Sequence, residues 1–186
     1  MSSKSRIESI AHTKVQHAGL KSLSFRTLGA EVGVKSSSVH YHFPEKSDLG
    51  QALIVRHRNG LAKFLRETAE QSPTVHASIK QFNHTFVELC YQGQFCIAGM
   101  LAAEVESLTE QNRESLNALF DDMHNWLVQE FNRASGELTV GLPSSTLARV
   151  LLASLEGALL MDRPQRSEHN LDAVNILVDS WFGKIN

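Results

Sequence analysis

Apolar residues recur at steps of three and four along nearly the whole 186-residue chain, and no stretch alternates long enough to form a strand, so the pattern predicts an all-α protein. Residues 2–5 read as a loose lead. From Arg6 the set Ile7, Ile10, Ala11, Val15 and Ala18 then marks one face of a helix that ends at Gly19. Phe25, Leu28 and Val32 follow Ser24, whose hydroxyl is a fitting N-cap, and predict a second, short helix. Gly33 stands where the chain must reverse, because glycine enters the left-handed region without steric cost. A third helix begins near Ser36, pointing Val39 and Phe43 inward and presenting Ser36, Ser37, Ser38, His40, Tyr41 and His42. Two short helices around one glycine make a helix-turn-helix.

Beyond Pro44, Leu49, Ala52, Leu53, Leu61, Phe64 and Leu65 predict a long helix with a polar middle at residues 56–60. Gly60 costs about 1 kcal/mol there relative to Ala, so it marks either a bend or the close approach of another helix. Ser72 and Pro73 form a start signal for an amphipathic helix through Val75, Ile79, Phe82, Phe86 and Leu89, ending by Gly93. Residues 95–108 suit a short buried helix. Thr109 caps the next one, lined by Leu116, Phe120, Met123, Leu127 and Phe131. Residues 135–143 are a loop, with residues 137–140 locally extended. Between residues 145 and 161 apolar side chains occupy almost every face, more than one core can cover, so this helix is expected to be buried twice. Pro164 stops it, and Leu171, Val174, Val178, Trp181 and Ile185 then repeat as a heptad-like seam.

Apolar residues make up 42% of the chain, as in an ordinary globule that folds without staples. Two cysteines, Cys90 and Cys96, and the absence of an apolar leader after Met1 predict a reducing, cytoplasmic compartment. No membrane span is expected, since the most apolar run, residues 147–161, contains Arg149, Ser154 and Glu156. The net charge of -2 conceals a division: residues 1–66 hold eleven Lys and Arg against four acids, and the remainder seven against sixteen. A basic amino-terminal third on an acidic body is the footprint of a nucleic-acid-binding head, because neutralising phosphates supplies much of such affinity.

Residues 24–46 read SFRTLGAEVGVKSSSVHYHFPEK. With their flanks, about residues 5–55, they resemble the DNA-binding domain of the tetracycline-repressor (TetR) family, in which an aromatic and histidine run is closed by Phe, a breaker, a Lys and a Leu, here Phe43, Pro44, Lys46 and Leu49. Two departures stand out. Lys35 occupies a position where many members carry a capping Ser or Thr, which shifts the expected cap to Ser36, and His40 replaces a frequent aromatic.

The resemblance implies a three-helix DNA-binding domain over residues 1–48 and a helical effector-binding and dimerisation domain over residues 49–186. It implies double-stranded operator DNA as partner, contacted by Ser24, Arg26, Lys35, Ser36, Ser37, Ser38, His40, Tyr41, His42 and Lys46. It also implies a homodimer joined as a four-helix bundle, with Leu151, Leu155, Ala158, Val174, Val178 and Trp181 at the interface. A small effector would sit among Phe82, Phe86, Cys90, Cys96, Met100, Met123, Trp126 and Leu155, residues that otherwise read as plain core. The functional expectation is a repressor released from its operator by a small-molecule or electrophilic effector. The rival is a helical dimeric interaction module without specific DNA binding.

Other chemistry is sparse. A Gly-rich phosphate loop, Gly-x-Ser-x-Gly, His-Glu-x-x-His and Cys-x-x-Cys are all missing, so neither an enzyme nor a cofactor is expected. His40 and His42 point about 200° apart on a helix and do not share a metal ion. Cys96 opens a Cys-x-x-Gly segment similar to one in an electrophile-sensing branch of the resembled family. Sensing needs a thiolate, favoured by a cation or a helix start, whereas inert packing is the commoner fate of a buried cysteine.

Overall fold

Local chemistry at the helix ends decides where the periodic segments start and stop. The computed structural model describes residues 2–183, which form nine α-helices: α1 (Ser3–Ala18), α2 (Phe25–Val32), α3 (Ser36–His42), α4 (Lys46–Gln71), α5 (Val75–Tyr91), α6 (Ile97–Ala103), α7 (Glu110–Arg133), α8 (Ser144–Asp162) and α9 (His169–Trp181), with a 3₁₀ turn at Val105–Ser107. Residues 2–5 are not a loose lead, because the Ser2 hydroxyl accepts the Ser5 N–H at 3.2 Å and starts α1 at Ser3. Likewise Thr74, not Ser72, caps α5 by accepting the Ala77 N–H at 3.1 Å. Ser24 occupies the cap position of α2 in extended conformation, yet its hydroxyl makes no capping bond; its carbonyl instead accepts the Leu28 N–H at 2.8 Å. The cap position of α3 is Lys35 rather than Ser36, so that helix begins without a side-chain cap. Thr109 does cap α7, accepting the Asn112 N–H at 3.3 Å. The expected extension near residue 138 takes the form of an isolated antiparallel bridge between Leu138 and Phe182. Ile185 lies outside the described residues.

Packing gathers the chain into two units, Met1–Asn59 with Cys96–Leu119, and Gly60–Phe95 with Phe120–Asn186. In the first, α1 packs on α2, α3 and α6 around Ile7, Ala11, Val15, Leu28 and Val39, all fully buried. The α2–α3 turn has the predicted geometry: Gly33 is left-handed at φ 79°, and the Val34 N–H returns to the Gly29 carbonyl at 2.8 Å, closing a Schellman motif. Arg6 reaches across from α1 and donates to the Val32 carbonyl at 2.6 Å, satisfying an orphan acceptor at the end of α2. Gly60 sits in α4 at the unit boundary, and an added Cβ there would meet nothing within 4 Å, so no close-approaching helix explains it.

In the second unit α5, α8 and α9 pack against one another, with Ile79, Phe131, Leu147, Leu151, Leu155 and Val178 fully buried. Asp162, the last residue of α8, caps α9: its carboxylate accepts the Asn170 and Leu171 N–H groups, each at 2.9 Å. Burial alone would raise its pKa, but these bonds, with those from the Asn170 and Ser167 side chains, more than offset it and lower the value. At 19 residues α8 is long and apolar enough to cross a membrane by length and composition alone. Its Leu147, Leu151, Leu155 and Leu159 are nevertheless buried in the unit's own core, which is the environment of an ordinary core helix.

Candidate nucleic-acid interface

A seven-residue helix has few ways to face solvent, and α3 uses one side for it. Ser37, His40 and Tyr41 lie at i, i+3 and i+4, are all exposed, and share a face; the Tyr41 ring is 83% exposed. The opposite side holds Val39, which is fully buried. His40 is steadied from below by the buried Phe25 ring, edge-on at 4.9 Å, and its Nδ1 lies 3.4 Å from the Pro44 carbonyl oxygen. Ser36 and Ser38 are half-buried, and Lys35 is exposed just ahead of the helix. His42 behaves differently from His40, although both are histidines of one helix. It is half-buried and hydrogen-bonded with the Ser3 hydroxyl at 2.9 Å, so it fastens α3 to the start of α1, with the Tyr41 ring edge-on to it at 5.2 Å.

Beside this face runs an open groove of about 510 Å³ lined by Ser24, Arg26, Ser36, His40 and Lys46, among others. Arg26 and Lys46 are exposed and Ser24 is half-buried. Lys46 is the first residue of α4, and its Nζ donates to the Lys21 carbonyl at 3.0 Å. Ahead of it the Asp48 carboxylate accepts the Glu45 N–H at 2.9 Å, which secures the start of α4. Two of the four acids in the basic segment are held in ion pairs, Glu31 with Lys14 at 2.6 Å and Glu8 with Arg56 at 3.6 Å. Hydroxyls, an imidazole and two cations along this groove, with the Tyr41 phenol on the adjoining face of α3, are chemistry that binds phosphate oxygens and base edges.

The expected effector residues divide between the units: Cys96 and Met100 belong to the first, and the other six to the second. Within the second, the Phe82 ring stands 5.4 Å from Trp126 and 5.7 Å from Phe86, and Met123 and Leu155 are buried. Three buried polar atoms of the second unit, the Trp126 indole N–H, the Asn83 side-chain carbonyl oxygen and the Thr68 hydroxyl, have no hydrogen-bond partner among the described residues. Cys90 is buried and its thiol donates to the Ser167 carbonyl at 2.9 Å. Burial, with Asp162 and Glu168 nearby, pushes that thiol's pKa up. Cys96 is buried at the start of α6. Among the described residues no group of three His, Cys, Asp or Glu side chains is arranged to hold a metal ion.

The six residues expected at a dimer interface are already spent. Leu151, Leu155, Ala158, Val174, Val178 and Trp181 are all buried within the single chain, where Trp181 packs edge-on against Phe131 at 5.7 Å. The same two helices leave Val150, Leu160, Met161, Ile176 and Leu177 exposed, the most open being Ile176 at 69% and Met161 at 65%.

Two kinds of known protein resemble this chain. The family model described as "Transcriptional regulator LmrA/YxaF-like, C-terminal domain" matches residues 72–176. Among solved structures, a TetR transcriptional regulator from Legionella pneumophila is 27% identical with a TM-score of 0.91, the match covering 98% of each chain. A TetR-family regulator from Agrobacterium tumefaciens is 22% identical, also with a TM-score of 0.91, over 97% of this chain and 98% of that one. The reduced form of NemR from E. coli is 20% identical with a TM-score of 0.85 over 98% of each chain, a likeness of fold. No curated protein matches the sequence.

Proposed function

Since the chain belongs to the TetR family of transcriptional regulators, whose members are not enzymes, we propose that it represses transcription by docking α3 in the major groove of a two-fold operator and leaves that site when a small molecule binds. The observation that carries the reading is the exposed Ser37, His40 and Tyr41 face beside the groove holding Arg26 and Lys46. Lys46 and Tyr41 meet phosphates, and Ser37 and His40 reach base edges. His42 stays with Ser3 and acts on DNA only through the seating of α3.

The proposed homodimer joins through the exposed stripe of α8 and α9 that includes Leu160, Met161 and Ile176, and so sets the spacing of two α3 helices. The effector is proposed to enter the second unit, where the unpartnered Trp126 N–H, Asn83 carbonyl and Thr68 hydroxyl offer one donor, one acceptor and one group of either kind. A reversible ligand fits better than an electrophile, because both thiols are buried and Cys90 is held in its protonated form.

Fluorescence anisotropy with DNA fragments flanking the gene tests the operator reading. Lys46→Ala is expected to weaken binding to every fragment alike and lower the salt slope by about 1. His40→Ala is expected to change the preferred sequence, with about 1–3 kcal/mol at stake for a good base contact. Binding of all fragments no tighter than random DNA by the wild-type protein would refute the reading.

A further inference from the structure

A carboxylate from outside the helix-turn-helix takes hold of its first corner. Glu104, at the C-terminal cap of α6, accepts the Leu20 N–H on Oε2 at 2.9 Å and the Lys21 N–H on Oε2 and Oε1 at 3.1 and 3.4 Å. Both amides belong to the turn between α1 and α2, and a charged acceptor binds such groups about twice as strongly as a neutral one. Gly19 makes the room for it. Its φ of 82° is one that L side chains rarely adopt, and a Cβ there would run into the Glu104 carboxylate. The next link is Lys21 itself, whose carbonyl accepts from the Lys46 ammonium at 3.0 Å. An ammonium carries three donors, so this bond leaves two for a phosphate.

We propose that Glu104 is a positioning residue for DNA binding: it fixes the Leu20 and Lys21 backbone so that the Lys21 carbonyl holds the Lys46 ammonium at the edge of the operator groove. The proposal rests on the reading of α3 and Lys46 as the operator interface. It runs against simple electrostatics, which makes it decisive. Removing an acid from a DNA-binding head lessens repulsion of phosphate and by charge alone tightens binding. Loss of the clamp frees Lys46 and weakens it.

The test compares wild type, Glu104→Ala, Glu104→Gln, Lys46→Ala and the Glu104→Ala/Lys46→Ala double variant in anisotropy titrations over a range of salt. Hydrogen exchange of the Leu20 and Lys21 amides is followed in parallel. Glu104→Ala is expected to bind operator about tenfold more weakly, with the salt slope lowered by about 1 as in Lys46→Ala, and the double variant to show no further fall in slope. Exchange at the two amides should speed up at least about tenfold while the core amides of α1 stay protected, which separates loss of the clamp from loss of the fold. Glu104→Gln, which keeps the volume and one acceptor oxygen, should fall between. Glu104→Ala binding as tightly as wild type with an unchanged slope overturns the proposal, and so does unchanged exchange at Leu20 and Lys21. If wild type binds no fragment specifically, the operator reading falls instead, and the exchange result still decides whether the clamp exists.

Discussion

Lowering the pH from 7.5 to 5 should strip about 2 kcal/mol from the stability of the amino-terminal unit through a single pair of histidines. His12 on α1 and His57 on α4 stack with ring centroids 5.3 Å apart, and His12 Nε2 lies 3.2 Å from His57 Nδ1, so one ring donates and the other accepts. That bond requires the accepting ring nitrogen to be unprotonated, so it cannot form once both rings are charged. Burial, and secondarily the neighbouring His12, lowers the pKa of His57 from 6.5 to about 4. His12 is lowered too, first by burial and then by Arg56, against a smaller upward pull from Gln16. Both groups therefore bind protons more readily in the unfolded chain. Their stabilisation is complete above pH 6.5, declines as pH falls, and for His57 is gone by about pH 4. With those two values linkage gives about 3 kcal/mol for His57 over the full range and about 2 kcal/mol by pH 5, against a typical domain stability of 5–15 kcal/mol. The assay is urea unfolding at pH 7.5, 6 and 5 for wild type and His57→Leu, with the His57 ring followed by NMR. The difference between the two proteins cancels the carboxylates that titrate lower. An equal loss of stability in both, or a ring titrating near 6.5, would refute the reasoning.

Assembly and cysteine chemistry give two more expectations. Met161→Asp and Ile176→Asp should yield folded monomers by light scattering and circular dichroism with operator affinity lost, whereas Trp181→Asp, which charges a side chain packed on Phe131, should lose the fold itself; a monodisperse wild-type monomer at micromolar concentration would count against the dimer. Cys90 should react with N-ethylmaleimide far more slowly at pH 7.5 than in urea, since its thiol is buried, bonded to the Ser167 carbonyl and held protonated; equal rates by mass spectrometry would show that it is neither.

What could be read from the residues, and what could not, follows from the range of the interaction involved. Helical periodicity and the Gly33 turn are local, and the nine helices stand within a few residues of where three- and four-residue spacing puts them. Helix starts are ambiguous where two candidate caps stand close together, as with Ser72 and Thr74, because only the backbone decides which hydroxyl meets an N–H one turn on. His40 and His42 carry the same chemistry two positions apart; helix geometry alone turns them apart, but which of them meets Ser3 depends on how α3 seats against α1. Glu104 left no trace at all in the pattern, since it meets Leu20 across 84 residues through backbone amides that every residue possesses.

The dimer face is the most instructive case. Apolar residues all round α8 correctly signalled more apolar surface than one core can use, but Leu151, Leu155 and Ala158 make as good a helical stripe as Val150, Leu160 and Met161. Nothing in a periodic pattern says which stripe the chain takes for itself. That choice falls to α5 and α9, which cover one side of α8, so the surface offered to a partner is whatever they leave exposed. A substitution in the covered stripe tests folding, and one in the exposed stripe tests association. The pair Trp181→Asp and Met161→Asp tells the two apart in one experiment, because only the second should leave the helical signal intact while the assembly is lost.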